Sequence, residues 1–265
     1  MSDLSAARFL VQLAGNLGDF GVFELDAALE YLRDEAGKAL RTDNNHFAIC
    51  IREPEGGGLS PVGWLPVWEV RHGPDRDDYS KLFRDWYSEP RNYGLDATVV
   101  ALAKTSGAPR AFRRREVVSD DEWRQAPIQE LFDAISVGDR LVTGVPAGPG
   151  TEIVVTSYRR CTEQGFSEED RELAALVAAA VRPFCTRLAL TYGFGDGLTP
   201  LTPRERSVLK ALLTGAAEKE VARDLGLTTR SLHQYVVSVY RKLGVTSRAQ
   251  LMALFLSPHR PDPPG

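Results

Sequence analysis

The stretch from Thr228 to Val245 reads TTRSLHQYVVSVYRKLGV. Leu232, Val236, Val239 and Leu243 recur at spacings of four, three and four, the signature of one buried side of a helix. The opposite side carries Arg230, His233, Gln234, Val237, Ser238 and Arg241. Several of these side chains match groups that base edges present. Gln234 can form a paired contact to adenine, Val237 can touch a thymine methyl, and Arg230 can reach guanine or a phosphate. Arg241, Lys242, Arg248 and Lys219, with the amides and hydroxyls of Thr228 and Thr229, suit phosphate oxygens. Water or a partner helix could meet the same face, so the neighbouring elements must decide.

Those elements agree with one another. LTPRERSVLKALLTG opens with Thr202, then Pro203 at the first helical position, then Glu205 three residues after the threonine, a capping box with a leading proline. Val208, Leu209, Leu212 and Leu213 follow, and Gly215 stops the helix. A second short helix, AEKEVARDLG, places Val221, Ala222 and Leu225 on one side and ends at Gly226. Thr228 or Thr229 caps the third helix, which stops at Gly244, and TSRAQLMALFLS begins a fourth with Leu251, Met252, Leu254 and Phe255. Two helices across a short glycine turn, braced on either side, form a helix-turn-helix unit.

Residues 199 to 256 resemble, without a gap, the C-terminal DNA-binding domain of the LuxR (GerE, NarL-type) transcriptional regulators. The matching elements are the opening Leu-Thr-Pro-Arg-Glu, the Lys-Glu-Val-Ala-x-x-Leu of the second helix, the Arg-Lys-Leu-Gly-Val that closes the third, and the Ser-Arg-Ala-Gln-Leu of the fourth. The resemblance implies a third helix in the major groove of double-stranded DNA, with His233, Gln234 and Val237 facing bases alongside Arg230. It also implies a fourth helix that pairs with its twofold mate through Leu251, Met252 and Phe255, so that a homodimer reads two half-sites; packing against the first helix of the same bundle is the alternative for that apolar side, and the two are compatible. The sequence departs from the family where His233 stands for a frequent Lys, Tyr235 for a His, and Val237 for a polar or basic residue. A less basic reading face implies weaker non-specific binding and a shallower salt dependence.

Charge is divided between the units. Residues 1–197 carry 22 Lys+Arg against 31 Asp+Glu, whereas residues 198–256 carry 9 against 4. An acidic body thus bears a small basic end that attracts polyanions. At 265 residues, 43% hydrophobic and 26% charged, the chain has the composition of an ordinary globular protein of two units. We expect an N-terminal unit at 1–190, a linker at 191–198, the helix-turn-helix at 199–256 and a tail at 257–265. The linker TYGFGDGLTP reads as a glycine hinge. Neither a basic leader nor a run near ~18 apolar residues is evident, so the expected compartment is the cytoplasm, with no membrane partner. Cys50, Cys161 and Cys185 form no framework and read as buried thiols.

The N-terminal region reads as α+β. Helical periodicity covers 5–17 and 23–41; HFAICIRE and PVGWLPVWEVR read as strands; DDYSKLFRDWYSE and Asp96–Lys104 read as helices. AFRRREVV reads as a strand with Arg113–Arg115 along an edge in water or, as the alternative, in contact with an anion, followed by a helix over DDEWRQAPIQELFDAI. Strands DRLVTGVPA and TEIVVTSYRRC precede a long helix capped by Ser167. About five antiparallel strands flanked by helices, with Phe166-Ser167-Glu168-Glu169-Asp170 before that helix, resemble a GAF or PAS-like sensory module. The Trp, Tyr and Asp-Pro pattern of acyl-homoserine-lactone sensors is not reproduced by Trp86-Tyr87 or by Trp64 and Trp68.

Catalytic and metal motifs are absent from the pattern. The four histidines, His46, His72, His233 and His259, lie far from any cysteine pair, and no nucleophile elbow or phosphate loop occurs. Asp75–Asp78 and Asp120–Glu122 read as solvated loops and helix starts, and Trp64, Trp68, Trp86, Tyr87 and Trp123 as core packing, with the lining of a ligand cavity as their alternative. The expected protein is a non-enzymatic bacterial regulator without an evident cofactor, whose sensory domain controls a dimeric helix-turn-helix. A small-molecule ligand of the N-terminal unit is allowed for but not identified, and RNA polymerase is a further candidate partner. The alternative is an adaptor that docks on polymerase or another regulator with weak or no specific DNA binding.

Overall fold

The computed structural model describes residues 3–21, 23–42, 44–54, 57–72, 81–82, 85–194 and 200–256. Helices α1 (Asp3–Asp19) and α2 (Leu25–Leu40) open the chain, followed by strands β1 (Asn44–Arg52) and β2 (Trp64–His72). A 3-10 turn (Pro90–Leu95) leads into α3 (Ala97–Lys104), β3 (Arg110–Arg113) and three short helices, α4 (Arg114–Val117), α5 (Asp120–Gln125) and α6 (Gln129–Ala134). The hairpin β4 (Val137–Gly148) and β5 (Thr151–Arg160) then precedes the long α7 (Glu168–Thr191). The architecture is α+β: among the described residues five strands form one antiparallel sheet in the order β2-β1-β5-β4-β3.

Alternation along β1 and β5 gives the sheet two working faces. Phe47, Ile49, Ile51, Ile153, Leu141 and Val145 pack against α1, α2 and α7 in the main core. The opposite face, with Ala48, Cys50, Val154 and Thr156, looks toward α3 and the 3-10 turn across a cavity. A second cluster around Trp123, Ile128, Phe132 and Tyr158 fills the space under α5 and α6.

Helix α7 starts at a reciprocal cap: Ser167 Oγ accepts from Asp170 N, and Asp170 Oδ2 accepts from Ser167 N. Burial works against the Asp170 carboxylate, but the Ser167 amide and Arg159, 3.2 Å away, hold its pKa below the ordinary value. By length and composition α7 is apolar enough to cross a membrane, which corrects the reading that no such run exists. In this fold much of that surface, including Leu173, Val177, Val181, Phe184 and Leu188, is buried against the sheet and α1.

Several local expectations change. The AFRRREVV strand stops at Arg113, because Glu116 closes a cap onto the Arg113 backbone and turns the chain into α4. Its arginines are not a row in water: Arg114 is buried beside Asp120 and Asp139 and over the Trp123 ring, and Arg113 meets Glu116 and Glu168. The helix expected from Asp120 to Ile135 breaks at Ala126-Pro127 into two, since a proline cannot donate to the preceding turn. Cys185 is buried, Cys50 half-buried and Cys161 exposed, so the three thiols do not share one environment. Residues 77–80 and 83–84 of DDYSKLFRDWYSE, with Asp75–Asp78 and His259, lie outside the described residues.

Candidate nucleic-acid interface

Four helices follow: α8 (Pro203–Leu213), α9 (Glu218–Asp224), α10 (Thr229–Lys242) and α11 (Arg248–Leu256). Leu232, Val236, Val239 and Leu243 of α10 join Val208, Leu209, Leu212, Val221, Leu251 and Phe255 in one apolar core. The turn between α9 and α10 depends on Gly226 at φ 62°, a left-handed conformation that costs a side-chain-bearing residue, while Leu227 N donates to Ala222 O at 2.8 Å. Thr228 caps α10 by accepting from Ser231 N. These contacts fix α10 along the edge of the bundle with one side turned outward.

The first turn of α8 and the last turn of α10 are joined through Glu205. Its Oε2 accepts from Thr202 N at 2.7 Å and from Lys242 Nζ at 2.7 Å, and its Oε1 from Ser238 Oγ at 2.7 Å. Burial opposes the charge, yet the Lys242 ammonium, Ser238 and Thr202 together hold the Glu205 pKa down to about 2. Arg248 closes the other end of α8, donating to Ala216 O at 2.6 Å and to Leu212 O.

This geometry sorts the residues singled out from sequence. Arg230, His233, Gln234 and Val237 lie together on the outward side of α10, and Val237 is 53% exposed although apolar. His233 Nδ1 stands 3.9 Å from Glu218 Oε2 across the turn. Lys219, Thr228, Thr229 and Arg241 are exposed around that face. Lys242 and Arg248 are corrections: their charged ends serve Glu205 and the carbonyls of α8, not the open surface. Ser238, which donates to Glu205, also leaves the outward set. On α11, Leu251 and Phe255 are buried in this chain's own core, so the dimer contact assigned to them is corrected as well. Met252 is half-buried, and Ala253 and Leu256 are exposed.

The N-terminal end of the bundle is packed onto the sheet unit. Leu190 of α7 belongs to the helical core with Leu201, Lys210 Nζ meets Asp26 Oδ2 at 2.7 Å, and the Arg206 guanidinium sits 4.6 Å over the Tyr192 ring. Gly193, read as part of a hinge, has φ 88°, and an added Cβ would lie 2.7 Å from Leu201 N. It is a packed turn in which Leu201 N donates to Tyr192 O. Gly195 and Gly197 lie outside the described residues.

Trp64 and Tyr87, for which cavity lining is the alternative reading, stand with Ala48, Leu102, Arg140 and Val154 among the walls of a cavity of about 80 Å³ on the second face of the sheet. At its edge Asp96 is fully buried. Its Oδ2 accepts from Tyr87 OH at 2.7 Å and Arg140 Nη1 at 2.8 Å, and its Oδ1 from Thr98 N and Thr98 Oγ1. Burial alone would raise the Asp96 pKa; the Arg140 guanidinium and the Tyr87 and Thr98 hydrogen bonds bring it below the ordinary value. The buried Asp96–Arg140 pair is what sequence reading missed; its signal is Arg140, which follows Asp139 in a strand whose later residues are mostly apolar.

Residues 199–255 match the family model described as bacterial regulatory proteins, luxR family. The transcriptional regulatory protein MctR of Rhizobium johnstonii is 39% identical over 57 residues, 22% of this chain and 27% of MctR. The probable transcriptional regulatory protein SgaR of Hyphomicrobium methylovorum is 34% identical over 101 residues, 36% and 48% of the two chains. UhpA of Escherichia coli is 42% identical over 52 residues, 20% and 26% of the two chains. This chain spans less than half the length of these relatives. Among solved structures, SdiA in complex with octanoyl-rac-glycerol aligns with TM-score 0.48 and 13% identity over 97% of this chain and 96% of that one. The VqsR LBD domain from Pseudomonas aeruginosa aligns with TM-score 0.46 and 17% identity over 70% and 96%. The match to the luxR-family model thus falls on the C-terminal four-helix bundle, α8 to α11.

Proposed function

We propose that the chain is a LuxR-type transcriptional regulator that acts in the cytoplasm without catalysing a reaction: its bundle binds duplex DNA as a dimer, and its N-terminal unit sets when it does so. The observation that carries this reading is α10, which buries Leu232, Val236 and Val239 completely while leaving Arg230, His233, Gln234 and Val237 together in the open. That set pairs an adenine-reading amide with a thymine-reading methyl group. Arg230, Arg241 and Lys219 flank it as phosphate contacts, and the exposed α10 N-terminus adds its amides. The twofold contact is assigned to Met252, Ala253 and Leu256.

Control by the N-terminal unit is supported by two features. The cavity beside Asp96 is a candidate ligand site, and α7 carries the main core directly into the helical core through Leu190. A ligand that favours one arrangement of the sheet unit can thereby bias the bundle by population shift. Selection of duplexes from a random pool by the full chain, at moderate salt, tests the reading. Enrichment of an inverted repeat is expected. No enrichment, together with no change in duplex binding for Gln234→Ala with Arg241→Ala, would turn the assignment toward a protein-docking adaptor.

A further inference from the structure

His233 puts a titratable ring on the outward side of α10. Its side chain is 67% exposed, and Nδ1 stands 3.9 Å from Oε2 of Glu218, the first residue of α9. A lysine at such a place carries its charge throughout the physiological range, whereas imidazole is the side chain whose charge changes between about pH 5 and 8. The approach to Glu218 is an ion pair only when the ring is protonated. The outward face therefore has two charge states that differ at one residue, flanked by Arg230, Gln234 and Val237.

The surroundings single out this pair. Of the two carboxylates in the first turn of α9, Glu220 folds back to accept from Ala217 N at 3.0 Å, and Glu218 is the one that faces α10. Tyr240, two turns after His233, feels the same Glu218 and also Arg248 of α11. Burial and then the Glu218 carboxylate raise the Tyr240 pKa above its ordinary 10, so this phenol stays neutral where imidazole titrates. Arg248 is spent on the carbonyls of Ala216 and Leu212. From α8, Glu205 faces Ser238 and Lys242 instead. Its pKa of about 2 keeps it charged, and the bundle clasped, well below pH 5.

A duplex distinguishes the two states. With His233 neutral, Glu218 is an uncancelled anion beside a face that meets phosphates. With His233 protonated, a cation is added and that anion is offset, which favours contact with a polyanion. The complex therefore holds the proton to higher pH than the free protein does. The added affinity is complete below the free protein's midpoint and is lost as pH rises through the midpoint of the complex.

We propose that this chain takes up a proton from solvent when it binds duplex DNA, that His233 accepts it, and that Glu218 positions the charged ring, so that mild acid tightens binding. The protonation site lies within the face assigned to DNA and so rests on that assignment, to which it adds a mode of regulation.

The test is a titration of the full chain into a rhodamine-labelled pool of random-sequence duplexes, read by anisotropy at low salt, where exposed charges are least screened. It is run at about pH 8, 7 and 6, with circular dichroism at each to follow the fold. Binding at the lowest pH is expected to be roughly fivefold or more tighter than at the highest, as one unit of difference between the bound and free ring gives. His233→Lys should bind with the tighter affinity at all three, and His233→Gln with the weaker affinity at all three. Glu218→Gln should displace the rise to lower pH. Equal wild-type affinity at the three values, or a rise that survives His233→Gln, overturns the proposal and leaves the bundle a DNA-binding unit. An undisplaced rise in Glu218→Gln overturns the part given to that carboxylate. Absence of duplex binding by both the wild type and His233→Lys at every pH overturns the DNA-binding assignment itself, and the proposal with it.

Discussion

Lys242 Nζ, in the last turn of α10, lies 2.7 Å from Glu205 Oε2, in the first turn of α8, with both side chains nearly buried. A lysine at the end of a DNA-facing helix would ordinarily be counted as a phosphate contact, but this one ties two helices of its own bundle together. The pair sets how stability depends on pH. Glu205 has a folded pKa of about 2 against an ordinary 4.5, so its contribution is complete above about pH 4.5 and is lost as pH falls from there toward 2. Glu205→Gln is expected to destabilise the bundle by roughly 2–3 kcal/mol at pH 7 and to flatten its stability profile between pH 4.5 and 2. Chemical denaturation followed at several pH values measures both, and an unaltered acid limb in the variant would contradict the role given to Glu205.

The same pair separates two neighbouring cations, Arg241 and Lys242, that look alike in sequence. Arg241 is exposed, whereas Lys242 is engaged. Arg241→Ala should weaken duplex binding uniformly across sequences and reduce the slope of log K against log salt by about 0.9. Lys242→Ala should lower stability and leave that slope unchanged. Gln234→Ala should act differently from both, costing about 1–3 kcal/mol at one base position and relaxing preference there. Titrations at three salt concentrations distinguish the three outcomes, and equal slope changes for Arg241 and Lys242 would refute the distinction.

On α11 the dimer contact is expected at the residues that remain outside the core. Leu256 is 76% exposed, whereas Leu251 is completely buried. Leu256→Glu should therefore produce a folded monomer that loses cooperative binding to an inverted repeat. Leu251→Glu should instead unfold the bundle, because it places a charge among Val208, Leu212 and Val239. Sedimentation together with circular dichroism resolves the pair. A dimeric Leu256→Glu protein would remove α11 from the interface.

The elements of the bundle are legible in the sequence because local signals coincide: the Thr202 and Glu205 cap, Gly215, Gly226 and Gly244 as stops, and an unbroken apolar spacing through α10. Which charges remain free is not legible there. Lys242 and Arg248 carry the same local pattern as Arg241, and only the approach of α8 consumes them. In the N-terminal unit the sheet can be read from alternation in β1, β4 and β5. The fate of Arg113–Arg115 cannot, since their partners Asp120, Asp139 and Glu168 come from three other segments. The polar cluster at the cavity edge escapes for the same reason: Tyr87, Asp96 and Arg140 are scattered over more than fifty positions and meet only when β4 crosses beneath α3.

The junction between the units gives the last prediction. A flexible tether would tolerate a methyl group at any glycine, and its composition suggests such a tether. Gly193, however, holds φ 88°, and a Cβ there would press on Leu201 N, 2.7 Å away, where Leu201 donates to Tyr192 O. Backbone on backbone leaves little room to yield, and the left-handed conformation adds its own cost. Gly193→Ala should therefore loosen the contact that Leu190, Tyr192 and Arg206 make across the junction, exposing the linker to protease and lowering the melting temperature by a few degrees, on the order expected for 1–3 kcal/mol. Regulation that depends on α7 positioning the bundle should weaken with it, while duplex binding by the bundle itself persists. A Gly193→Ala protein with unchanged proteolysis and unchanged melting would return the junction to a simple swivel and leave α7 without a route to the DNA-binding unit.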